Sequence, residues 1–207
     1  MNRMTRLTLL MAGVLMLPAM AQAGSTLVNP NLASKDELQA LPNVDAGTAQ
    51  AIIDGRPYLS AADLDAALAS AMDDGQREAL YAKLFRPINL NNASEAEILL
   101  IPAMTKKMAH EFEEYRPYTS MEQFRREIGK YVDEEEVARL EQYVFIPVDL
   151  NAASEESIMT IPGMSKRMAH EFEEYRPYRD MEQFRREIGK YVDDDEVARL
   201  ESYVTLN

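Results

Sequence analysis

Apolar residues recur along this chain at three- and four-residue spacing, in short bursts that proline or glycine closes. The stretch from Ser94 to Val144 shows the rule. Ser94 with Glu97 forms a capping box that opens a helix with Ile98 and Ile101 on its apolar side, and Pro102 stops it. A second helix begins near Thr105, carries Met108, Phe112 and Tyr115, and ends at Pro117. Ser120 with Gln123 forms another capping box, opening a third helix with Met121, Phe124 and Ile128 inward and Gly129 as its breaker. Asp133 with Glu136 caps a fourth, carrying Val137, Leu140 and Val144. β-Branched alternations are few, so the expected class is all-α. Links of only a few residues predict antiparallel neighbours.

The same four-helix pattern is written three times at a period of 60 residues. "INLNNASEAEILLIP" from Ile88 matches "VDLNAASEESIMTIP" from Val148, and 42 of 60 positions are identical between these two copies. A more distant copy begins with "VNPNLASKDELQALP" at Val28, and its "RPY" at Arg56–Tyr58 keeps register with Arg116–Tyr118 and Arg176–Tyr178. The predicted organisation is three tandem modules, 28–87, 88–147 and 148–207, with Pro87 and Pro147 at the joins.

The N-terminus has a different pattern. Arg3 and Arg6 precede an apolar run, Leu7 to Leu17, and "AMAQA" ends at Ala23 with small residues at the last and third-last positions. This is the order of a secretory signal, so residues 1–23 are expected to be removed before Gly24. The run is short for a membrane span, and no later apolar stretch is longer. The expected mature protein is periplasmic or secreted, with no membrane attachment. It has no cysteine, so apolar packing must hold it together without disulfides. The formal charge of −13 becomes −15 once Arg3 and Arg6 leave with the signal. Such a charge repels nucleic acid at long range, although a local basic patch can act at short range.

Helix, tight bend, helix, repeated within each module, resembles the tandem helix-hairpin-helix domain. The opening "VNPNLASKDELQALPNV" and "VDLNAASEESIMTIPGM" stretches are similar to those of the ComEA family of exported competence proteins, whose pattern runs N-x-N-x-A-s-x-x-E-L-x-x-L-P-G-I-G. The extrinsic photosystem protein PsbU is also similar and uses this fold for protein contacts. The resemblance covers nearly all of residues 28–207 and is more specific for fold than for ligand. In DNA-binding members the hairpin is Gly-apolar-Gly, which lets a phosphate approach the amides of the next helix. Carried over, that site falls on Gly163, Met164, Ser165, Lys166 and Arg167, and on Ala103, Met104, Thr105, Lys106 and Lys107. The first copy has Asn43, Val44, Asp45, Ala46 and Gly47 there, without a basic residue.

Three features oppose a phosphate. The family's second glycine is Asp45, Thr105 or Ser165, each a good N-cap that can occupy the amides. "DEEE" (133–136) and "DDDE" (193–196) fill the second hairpins with carboxylates, which suit the helix dipole and repel anions. At i,i+4 spacing Lys107 faces Glu111 and Arg167 faces Glu171, the pattern of ordinary helical ion pairs. A secondary basic patch, Arg125, Arg126 and Lys130 with its repeat Arg185, Arg186 and Lys190, could extend the hairpin pairs. His110 and His170 precede "EFEE" without a second histidine at i+4, so they are surface residues beside carboxylates rather than zinc ligands. Met104, Met108 and Met121 have core spacing. No nucleophile–base pair, phosphate loop or cofactor motif occurs, so neither catalysis nor a cofactor or metal is expected. Charge and hairpin chemistry favour a protein partner; DNA is the alternative, bound weakly.

Overall fold

The computed structural model describes residues 27–207, so the expected signal sequence lies outside the described residues. Twelve helices run through the described residues, and the 60-residue period of the sequence groups them in fours. The first set is α1 (Lys35–Gln39), α2 (Ala46–Asp54), α3 (Ala61–Leu68) and α4 (Asp74–Tyr81). The second is α5 (Glu95–Ile98), α6 (Lys106–Glu114), α7 (Met121–Ile128) and α8 (Glu134–Glu141). The third is α9 (Glu155–Ile158), α10 (Lys166–Glu174), α11 (Met181–Ile188) and α12 (Asp194–Glu201).

Helices of four to nine residues are too short to persist alone, because nucleation is costly and few bonds follow it. Two devices hold them. The first is capping. All twelve N-caps are Ser, Thr or Asp, and each side chain accepts the amide three residues on. The Ser94–Glu97 box is reciprocal. The Ser120–Gln123 box is not: Gln123 Oε1 instead accepts from the amide of Thr119, one residue earlier, at 2.9 Å.

The second device joins the ends of each set. The sequence pattern gave no sign of strands, yet β1 (Ile88–Asn89) pairs in parallel with β2 (Val144–Phe145), and β3 (Val148–Asp149) with β4 (Val204–Thr205). Val28 bridges Leu84 in the same way. Two-residue strands leave no alternation to read, which is why a purely helical expectation missed them. The molecule is mostly helical, with these small parallel clasps added.

The "N-x-N" and "RPY" stretches form one more tie. Asn91 Nδ2 donates to the carbonyl of Tyr118 at 3.0 Å and Asn91 Oδ1 accepts the Tyr118 amide at 2.7 Å; Asn31–Tyr58 and Asn151–Tyr178 repeat it. Arg116 reaches the carbonyls of Leu90 and Ala93, as Arg56 and Arg176 do in their own sets. The Arg-Pro bonds at 56–57, 116–117 and 176–177 are cis.

Each core sits between these ties. Phe112 meets Phe124 edge-on at 5.3 Å, and Phe172 meets Phe184 at 5.2 Å. Buried apolar side chains form two clusters. One is continuous from Ala33 to Val144 and so spans the first two sets, with α3 packed on α5; the other runs from Val148 to Tyr203. Met104, Met108 and Met121 pack against the first cluster.

Candidate functional site

The turn between the first and second helix of each set has one residue in the left-handed region: Asn43 (φ 61°), Ala103 (φ 60°) and Gly163 (φ 78°). The hairpin shape is therefore the same in all three, although only one keeps the glycine. The apolar residue that follows plugs the turn inward: Val44 and Met164 are buried and Met104 is half-buried.

At the helix starts the caps occupy an amide that an anion would need. Asp45 Oδ1 accepts from the Thr48 amide at 2.7 Å, Thr105 Oγ1 from Met108 at 3.2 Å, and Ser165 Oγ from Met168 at 3.1 Å. One of the four open amides of each helix end is satisfied in this way. The hydrogen bond from the Thr48 amide holds the Asp45 carboxyl below its ordinary range, so a fixed negative charge sits at the first hairpin.

Lys106, Lys107, Lys166 and Arg167 are exposed. The expected ion pairs of Lys107 with Glu111 and Arg167 with Glu171 do not form. Helical side chains lean toward the N-terminus, which carries these cations off the helix end into water. Glu111 and Glu171 are instead buried, each with Oε2 lacking a hydrogen-bond partner. The four hairpin cations make no ion pair among the described residues.

The secondary patch is different. Arg125 binds Glu141 at 2.7 Å, while Arg126 and Lys130 share Glu127; Arg185, Arg186 and Lys190 repeat this with Glu201 and Glu187. In each set three half-exposed cations meet two carboxylates, so the patch is paired yet keeps a net positive charge. His110 and His170 lie exposed, 3.7 Å from Glu114 and Glu174, as their sequence context implied.

Neighbouring sets change the surroundings of the hairpins. A cleft of about 380 Å³ separates Ala103 and Met104 from α4, and Asp65, Asp74 and Glu78 line its other side with Arg77. At the third hairpin Arg199, 3% exposed and held by both oxygens of Glu196, donates to the carbonyl of Pro162 at 2.7 Å. The second-hairpin carboxylates act as caps: Asp133 accepts the Glu136 amide and Asp193 the Glu196 amide, both at 2.9 Å. Among the described residues no group of three or more His, Cys, Asp or Glu side chains could hold a metal ion, and no helix is long and apolar enough to cross a membrane.

The chain matches no family model, no curated protein and no solved structure. The candidate site therefore rests on geometry and chemistry alone. Sequence reasoning missed Arg86 and Leu32, both of which lie against the third set. Their only signal was that each is peculiar to the first copy: Arg86 stands where the others have Ile146 and Leu206, and Leu32 where they have Asn92 and Ala152.

Proposed function

We propose that this chain is an exported, non-enzymatic, ComEA-like helix-hairpin-helix repeat protein. Its three modules, 28–87, 88–147 and 148–207, serve as a protein-interaction scaffold in the periplasm. The observation that carries this reading is the chemistry of the helix starts. At each of the twelve an N-cap side chain takes one amide, and carboxylates stand beside the second module's hairpin and at every second hairpin. Such ends favour a partner read by side chains over one read by its phosphate backbone. The test is duplex binding near 50 and 150 mM salt, beside recovery of a defined, cross-linked protein partner from the periplasm. A dissociation constant weaker than about 10⁻⁵ M at the higher salt fits the proposal, being at or below the non-specific range. Export has its own test: the secreted protein should have the mass of a chain that begins at Gly24.

Sequence-independent DNA uptake is the second reading, and the unpaired Lys106, Lys107, Lys166 and Arg167 favour it. Tight duplex binding that Lys166→Glu with Arg167→Glu abolishes would establish it in place of the first.

A further inference from the structure

Arg86 is 1% exposed and makes no ion pair among the described residues. Its guanidinium is satisfied by neutral groups from three directions. Nη1 donates to the carbonyl of Pro87 at 2.6 Å, Nη2 to the carbonyl of Leu59 at 3.2 Å and to Ser202 Oγ at 2.8 Å, and Nε to the carbonyl of Tyr58 at 3.3 Å. The ring of Tyr203 lies under it at 4.0 Å and that of Phe145 at 5.3 Å, a stacking that guanidinium favours. Residues of the first, second and third sets thus meet on one buried cation.

A second contact joins the same two sets. A Cβ built on Gly163 would lie 3.0 and 3.1 Å from the two methyls of Leu32. The left-handed turn does not itself demand glycine, since Ala103 adopts it in the second set. What glycine adds at 163 is room for Leu32. All four partners are specific to their copies: Arg86 and Leu32 to the first, and Ser202 and Gly163 to the third, where the others have Ala82 and Gln142, and Asn43 and Ala103. The buried clusters end at Val144 and begin again at Val148, and the half-buried ring of Phe145 bridges them by packing on Tyr203 at 4.7 Å.

We propose that Arg86 with Ser202 and Tyr203, and Leu32 with Gly163, form an intramolecular clasp that closes the first module onto the third beside the glycine hairpin. The inference is independent of which partner the protein binds. Gly163 then serves closure by leaving room for Leu32.

The test uses the whole mature chain and the residues that the second module itself carries, which its fold accommodates: Arg86→Ile and Leu32→Asn, separately and together. The radius of gyration from small-angle scattering should be about 16 Å for the wild type, as for a compact chain of this length, and rise by roughly a fifth in the double variant with helicity unchanged. A radius that stays at the wild-type value in the double variant overturns the clasp. Should Arg86→Ile fail to fold, the second contact decides by itself. Gly163→Ala should speed chymotryptic cleavage after Tyr143 or Phe145 several-fold when Leu32 is present and not when it is Asn, a coupling expected only of residues in contact. Equal effects in both backgrounds overturn it.

Discussion

Ala103 shows how a single residue can carry a cost that its neighbours avoid. Its φ of 60° puts a Cβ in the left-handed region, which is unfavourable by about 1–2 kcal/mol for an ordinary residue. Glycine removes that strain and loses some back through the freer unfolded chain. Ala103→Gly should therefore stabilise the protein by about 0.5–1 kcal/mol in a urea melt. Asn91 is the opposite case. Its amide closes two hydrogen bonds with the backbone of Tyr118, whose side chain is 1% exposed. Asn91→Ala leaves both backbone groups without that partner and should cost about 2–3 kcal/mol. The asparagine of the "N-x-N" signature is therefore a fold residue.

At the scale of the element, capping does what length cannot. α10 has nine residues and starts on Ser165, whose hydroxyl takes the Met168 amide. Ser165→Ala should cost about 1 kcal/mol of stability by thermal or urea unfolding. If the amides of α10 served a phosphate, the same change would free one of them and strengthen duplex binding; under the protein reading it leaves duplex binding unchanged. The charged contacts add a pH dependence. Lys130 and then Arg126 hold Glu127 below the ordinary carboxylate range, Lys190 does the same for Glu187, and the Ser34 amide does it for Glu37. A depressed folded-state pKa gives stability that is full above the unfolded value. It is lost as pH falls through the folded value. The urea midpoint should accordingly be flat near neutrality and drop as pH falls below about 4.3, the unperturbed glutamate value. A midpoint at pH 3 equal to that at pH 7 would show that these contacts contribute nothing.

For the whole molecule, the arrangement of the sets decides what the hairpins meet. A lone module would present Ala103 and Met104 to solvent. In the protein, the cleft beside them is lined across by Asp65, Asp74 and Glu78 of the preceding set. Truncating those three carboxylates together (Asp65→Asn, Asp74→Asn and Glu78→Gln) should raise duplex affinity at low salt by several-fold. The effect should shrink as salt rises, because screening shortens the reach of the charges. An affinity that does not change would mean that the second hairpin is closed to phosphate by its Thr105 cap alone.

The sequence by itself determined that the chain is mostly helical and where its helices are capped, because capping and breaking are local, although it carried one helix to Ile101, past the end of α5, and another to Val144, which lies in β2. It also marked the hairpin residues, since their backbone role follows from position within the repeat. Strand pairing escaped it: Ile88 and Val144 are brought together by the helices between them, and two residues carry no period. Only the tertiary structure decided which charges are free. Lys107 and Arg167 looked paired at helical spacing and are not, whereas Arg125, Arg126 and Lys130 looked available and are held by Glu141 and Glu127. It also turned Gly163 from a glycine kept for phosphate into one kept for Leu32. Contacts between residues more than a hundred positions apart depend on how whole sets pack, and no local pattern encodes that.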